Sequence, residues 1–195
     1  MSGTLLLVAA PPACGKNYVS EMIGNAASGV AYLDKDDLSV LLRRAFAVCG
    51  EDINMDGAFY LENLRPYEYE TLLNLAFSAL RFSDTVLVNA PFLREVRDEA
   101  YMRRLKERAN ALGAKLVLVW VSTPLAVCYE RMKARNSDRD REKLLHWDEY
   151  VRKTDYSIPT ALEQNAAVDR LIVFENANDE TAQASLARVL QCIGE

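Results

Sequence analysis

Gly15 and Lys16 close a short loop, Pro11-Pro12-Ala13-Cys14-Gly15-Lys16-Asn17, that follows an unbroken apolar run from Leu5 to Ala10. The chemistry that these residue types and this spacing allow is the binding of a polyphosphate. An apolar run of this kind suits a strand buried on both faces of a parallel sheet. The loop must then turn sharply into a helix, whose first N–H groups lack intrahelical partners and carry the positive end of the helix dipole. An anion is stabilised there. Pro11 and Pro12 donate no N–H, so the amides of Ala13, Cys14, Gly15, Lys16 and Asn17 are expected to form the cradle. Gly15 would let the backbone approach the phosphates, and Lys16 would reach the β- and γ-phosphates.

Against the P-loop pattern G-x-x-x-x-G-K-[ST] the segment departs twice. Ala10 replaces the first glycine, a mild change, and Asn17 replaces the hydroxyl that ordinarily binds Mg²⁺. The amide oxygen of Asn17 would meet the metal through water. Cys14, at the start of a helix, is expected either to have a depressed pKa or to be a small residue that fits the loop.

Phosphoryl transfer also needs a group that orients or deprotonates the attacking hydroxyl, and cations for the charge that develops. Asp34-Lys35-Asp36-Asp37 follows the second apolar strand; Asp36 is the candidate base, while Asp34 and Asp37 could hold metal-bound water or cap the next helix, Asp37 in particular as its N-cap. Arg131 and Arg135 lie one helical turn apart, and Arg139 and Arg141 follow in the polar stretch Asn136 to Glu142, expected to be a surface loop. Together they suggest a lid whose arginines clamp phosphate; the alternative is a solvated face with Glu130, Asp138, Asp140 and Glu142 as partners. Arg43 and Arg44 could bind an anionic part of an acceptor or be ordinary surface charges. His146, the only histidine, is expected to pack beside the lid.

The elements that must position these groups follow from periodicity. Further strands are expected at residues 30–33, 85–90, 115–122 and 170–174, and helices at about 16–27, 37–48, 66–82, 95–112, 124–135, 148–153 and 179–193. Their alternation is the βαβ signature of a parallel sheet, in which ligands collect beyond the carboxyl ends of the strands. Asn89-Ala90-Pro91-Phe92, Ser122-Thr123 and Glu175-Asn176-Ala177-Asn178 fall there as well. The segment at about 50–82 reads as a helical insertion rich in aromatics; Phe77 suits the core, while Tyr60, Tyr67 and Tyr69 suit either core or an acceptor-binding hood.

Size and composition support one domain spanning 1–195, with half of the residues apolar and no linker-like segment. A net charge of −5 disfavours a broad nucleic-acid-binding face without excluding a local one. The four cysteines form no C-x-x-C pair, and no signal-like or membrane-spanning run occurs, so a cytoplasmic protein with reduced thiols and no membrane partner is expected.

The residues resemble the small P-loop kinases that include the kinase domain of phage polynucleotide kinase, zeta toxins and chloramphenicol phosphotransferase. Ala10 to Asn17 resembles their phosphate loop, Tyr32-Leu33-Asp34-Lys35-Asp36-Asp37 the segment bearing the catalytic base, and Arg135-Asn136-Ser137-Asp138-Arg139 the lid. The resemblance implies a P-loop NTPase three-layer α/β sandwich with a five-stranded parallel sheet of order 2-3-1-4-5, and a lid at about 136–146. It implies ATP and Mg²⁺ as cofactors, the base role for Asp36, a lid-arginine role for Arg139, and adenine near the lid helix and Asn178. Asn89 stands where the family often carries an acid. The function so implied is transfer of the γ-phosphate of ATP to the hydroxyl of an unidentified acceptor. A degenerate ATP-binding protein or slow ATPase, and a polynucleotide 5′-hydroxyl kinase, are the alternatives.

Overall fold

The computed structural model describes residues 3–194, apart from the side chains of residues 138 and 139. Five strands, β1 (Gly3–Ala9), β2 (Val30–Asp34), β3 (Thr85–Asn89), β4 (Ala114–Ser122) and β5 (Arg170–Glu175), form one sheet of order β2-β3-β1-β4-β5. All four pairings are parallel. The central position of β1 explains its composition: Leu5, Leu6, Leu7, Val8 and Ala9 are fully buried, because both faces of the strand are covered.

Strand periodicity divides β1 between two cores. Leu5, Leu7 and Ala9 pack with α3 (Arg65–Ala79) and α4 (Glu99–Asn110), through Leu72, Ala76, Phe77, Met102 and Ala109. Leu6, Val8 and Ala10 pack on the other face with α1 (Lys16–Ala26), α5 (Leu125–Arg135) and α9 (Asp179–Gly194), through Val19, Ile23, Cys128, Ala182 and Val189. The result is a three-layer α/β sandwich. No helix among the described residues is long and apolar enough to cross a membrane.

Three elements differ from expectation, each for a local reason. The Asp34 side chain accepts the Asp36 amide at 2.8 Å and starts a three-ten turn over Lys35–Leu38, so α2 begins only at Ser39 and runs to Cys49. The capping residue here is therefore Asp34 rather than Asp37. The helix expected over 95–112 is broken at Asp98, whose carboxylate accepts the Tyr101 amide at 2.9 Å and starts α4 afresh after a turn at Glu95–Arg97. Finally, the polar stretch after α5 is not a loop. Asn136 adopts a left-handed conformation at φ 46°, ending α5, and Asp138–Leu145 forms α6, followed by α7 (Trp147–Lys153) and the single turn α8 (Ala161–Gln164). Arg, Glu and Lys are strong helix formers, and polarity alone does not distinguish an exposed helix from a loop.

Residues 50–82 contribute a π-helical turn at Tyr60–Leu64 leading into α3. Tyr60, Tyr69 and Phe77 are buried and Tyr67 is exposed, so the aromatics are mostly core. Two ion pairs tie this segment to the sheet end. Arg65 grips Glu95 with two contacts, at 2.7 and 3.0 Å, and stacks 4.2 Å from the Tyr69 ring. Lys35 reaches the buried Glu68 at 3.0 Å, whose other oxygen accepts the Tyr60 hydroxyl at 2.5 Å. Truncating one partner of a largely buried pair strands the other charge. Glu95→Ala is therefore expected to cost about 3 kcal/mol in urea unfolding, whereas Glu149→Ala, which breaks the exposed pair with Lys153, is expected to cost well under about 1 kcal/mol. Equal losses would contradict the burial argument.

Candidate active site

The turn between β1 and α1 is set by one carbonyl. The oxygen of Cys14 accepts from Asn176 Nδ2 at 2.8 Å, Thr123 Oγ1 at 2.9 Å and Arg131 Nη1 at 3.4 Å. Asn176 follows β5, Thr123 follows β4 and Arg131 lies on α5, so three elements hold one peptide group. In a trans peptide the C=O and the next N–H point oppositely, and the clamp therefore aims the Gly15 amide away from α5. Among the described residues the amides of Ala13, Gly15, Lys16 and Asn17 have no protein acceptor, whereas the Cys14 amide turns to Pro11 O at 3.4 Å. The row of donors is thus as expected except for Cys14. Gly15 sits at φ 85°, and a Cβ there would collide with the Asn176 amide and lie 3.2 Å from Arg131 Nη1. Its conformation and the packed Asn176 both require glycine.

Cys14 itself points inward, with its sulfur 3.7 Å from that of Cys128. The hydrogen bond with Cys128, followed by burial, pushes the Cys14 thiol well above its ordinary pKa. Of the two expectations for Cys14, the direction of this shift disfavours a depressed pKa, and its burial in the core agrees with a small residue that fits the loop.

Lys16 extends toward the end of β3. Its ammonium donates to Asn89 Oδ1 and, at 2.9 Å, to Asn17 Oδ1. Burial lowers its pKa to about 8, an effect opposed by Asp34 and Asp36 and reinforced by Lys35. Asn89, fully buried, also accepts from Ser20 Oγ at 3.0 Å and donates to Asp34 Oδ2 at 2.6 Å. Asp36 lies just beyond, with its carboxylate largely exposed and 3.7 Å from Lys35 Nζ. Lys16, Asn17, Asp34 and Asp36 are thereby brought to the same end of the sheet, beside the free amides.

The arginines behave differently from one another. Arg131 is drawn against the loop, its second nitrogen donating to Asn176 O at 2.9 Å. Arg135 instead turns to the buried Asp140 of α6, at 2.5 and 2.7 Å, and the Arg139 side chain lies outside the described residues. The Asn178 side chain accepts the Thr181 amide at 3.0 Å and so begins α9. Trp147 packs edge-on to Tyr129 at 5.1 Å, beside His146 at the junction of α6 and α7. Thr123 and Asn176 are the contributors that residue types alone did not single out; both directly follow strand ends, which was the available signal.

A cavity of about 480 Å³ flanks Arg131 on α5, lined by Ala126, Val127, Glu130 and Ala134. Another, about 450 Å³, lies between the start of β5 and α9, at the opposite end from the loop. No cluster of three or more His, Cys, Asp or Glu side chains fit to hold a metal occurs among the described residues. The donor set at the loop, the Asn17 amide oxygen and the Asp34 carboxylate, suits a hard cation that keeps waters and takes phosphate oxygens, as Mg²⁺ does.

A family model described as AAA domain matches residues 5–155. No curated protein matches the sequence. Solved structures do. A provisionally assigned kinase from Chloroflexus aurantiacus is 17% identical with a TM-score of 0.65, covering 99% of this chain and 97% of the other. A sugar kinase from Janibacter sp. HTCC2649 is 14% identical with a TM-score of 0.60 over 97% and 93%. The tunicamycin resistance protein of Deinococcus radiodurans is 14% identical with a TM-score of 0.54 over 97% and 95%. At these identities the likeness is one of fold, that of the small P-loop kinases.

With the Lys16 pKa near 8, a bound polyphosphate favours the ammonium and raises that value. Below pH 8 the group is charged already and contributes no pH dependence to binding. Above it, binding takes up a proton, and ATP affinity is expected to fall by about tenfold per pH unit. Calorimetry at pH 8.5–9.5 in buffers of different ionisation enthalpy measures the uptake; a flat affinity with no proton linkage would refute the assignment.

Proposed function

Since the chain belongs to the AAA domain family, whose model spans the loop, Lys16 and the arginine-bearing helix α5, we propose that it is a kinase that transfers the γ-phosphate of ATP to a hydroxyl of a small acceptor. The observation that carries this reading is the row of amides without protein acceptors at Ala13, Gly15, Lys16 and Asn17 among the described residues, with Asp36 exposed in the turn after β2, two strands across the sheet from β1. The amides bind the polyphosphate, and Lys16 leaves Asn89 and Asn17 for the β- and γ-phosphates. Arg131 forms one wall of the base subsite, whose opening is the cavity along α5, and Asn178 is assigned to the same subsite from its place after β5. Asp36 accepts the proton of the acceptor hydroxyl as that oxygen attacks phosphorus. Arg135 is exchanged from Asp140 to the transferring phosphoryl group, joined by Arg139 from α6. Asn17 and Asp34 would hold Mg²⁺, which would supply positive charge against the phosphate oxygens.

One observation favours a second reading, a nucleotide-binding protein without phosphotransfer. Asn17 and Asn89 stand at positions where a hydroxyl and an acid would strengthen metal binding, and both amides are engaged with Lys16. The polynucleotide kinase reading is disfavoured by the net charge of −5.

Calorimetry with ATP, with and without Mg²⁺, and transfer of labelled γ-phosphate to a panel of sugars, nucleosides, amino-alcohol antibiotics and a 5′-hydroxyl oligonucleotide test these readings. Lys16→Ala is expected to weaken ATP binding by about a hundredfold or more, through loss of a buried charge contact. Asp36→Asn is expected to leave ATP affinity within about threefold and slow transfer by about 10²–10⁴-fold. An undiminished rate in Asp36→Asn would remove it as base. ATP binding without Mg²⁺ linkage and without any labelled product would favour the second reading.

A further inference from the structure

Asn89 has a constrained position: it ends β3, is fully buried, and lies in register with Asp34 of β2 and Val8 of β1. Its two amide ends meet opposite charges. Among the described residues the oxygen meets only donors, the Lys16 ammonium and the Ser20 hydroxyl at 3.0 Å. The nitrogen lies 2.6 Å from the Asp34 carboxylate, with the Tyr32 hydroxyl at 3.1 Å and Asn17 Oδ1 at 3.2 Å. This fixes the orientation of the amide, because the reverse would set an NH₂ against an ammonium and an oxygen against a carboxylate.

The geometry points to Asn89 as a positioning residue that couples Lys16 to Asp34, and to the pair Asp34/Asn89 as one acid and one amide that are exchangeable between adjacent strands. This rests on the reading of the site as one for ATP and Mg²⁺. An aspartate at position 89 would suit Lys16 but would place two carboxylates within hydrogen-bond distance at the 2.6 Å contact, where they cannot both remain ionised without a proton or metal between them. An apolar residue would leave a buried ammonium and a buried carboxylate without their common partner. The amide accepts from the cation at one end and donates to the anion at the other, which neither a carboxylate nor an apolar side chain does. The acid facing the phosphates thus resides on β2, and Asn89 is what makes that placement compatible with Lys16.

The test is a cycle of Asn89→Asp, Asp34→Asn and the double variant, read in two ways at one neutral pH: thermal stability without nucleotide, and the ratio of ATP affinities with and without Mg²⁺. Asn89→Asp is expected to melt below the original protein, since two carboxylates then face each other at the 2.6 Å contact without the amide between them. Asp34→Asn is expected to lose most of the Mg²⁺ dependence of ATP affinity. The double variant, with one acid and one amide in exchanged places, is expected to recover the melting temperature lost in Asn89→Asp, and to regain the Mg²⁺ dependence to within about threefold of the original protein. A residue that merely fills space would give a double variant no better than Asn89→Asp, and that result overturns the proposal. If the unmodified protein took up no ATP, the ATP reading would fail, while the stability arm would still decide the coupling of the two positions.

Discussion

Because a trans peptide sends its C=O and N–H in opposite directions, the donors that hold the Cys14 carbonyl also decide where the phosphate-facing amides point. Thr123, Arg131 and Asn176 come from β4, α5 and β5, and they meet at one oxygen. A glycine loop left to itself has great conformational freedom. Here that freedom is removed before any ligand arrives, and the entropic cost of ordering the loop is met by folding rather than by binding. The same clamp explains why Arg131, rather than Arg135, stands against the loop.

The second constraint is charge. Lys16 is buried deeply enough to lower its pKa, yet no carboxylate touches it directly among the described residues; two amide oxygens do. Asp34 acts through Asn89. Around this centre the other cations are taken up by buried acids, Lys35 by Glu68 and Arg65 by Glu95. Such pairs add little net stability, since desolvation offsets much of the attraction. Their structural effect is to fix the turn carrying Asp36 and the loop after β3 against α3, so that residues 50–82 serve to brace the sheet end.

Much of the architecture was legible in local pattern. All five strands fall within about a residue or two of the positions given by apolar runs, as the alternation of Leu5 and Leu7 against Leu6 and Val8 between two cores illustrates. The sheet order came from the family resemblance, and pairing bears it out. The helix α6 was missed because the side chain it is shown to bury is the acid Asp140, leaving no apolar period to detect. Asp98 as a cap was missed, and Asp37 was favoured over Asp34, because several acids nearby could serve and the choice depends on where the chain turns.

Within the site the division is the same. The apolar strand, the prolines without N–H and the Gly-Lys pair were enough to place a row of amides at the head of α1, because helix ends leave donors unpaired whatever surrounds them. The direction of the Cys14 thiol, the role of Asn176 and the bridge at Asn89 were decided only by the tertiary structure. These contacts join residues 162, 114 and 73 positions apart along the chain. Separations of that size carry no periodic signal, and which side chains meet depends on the order in which the strands pair, which brings their carboxyl ends together.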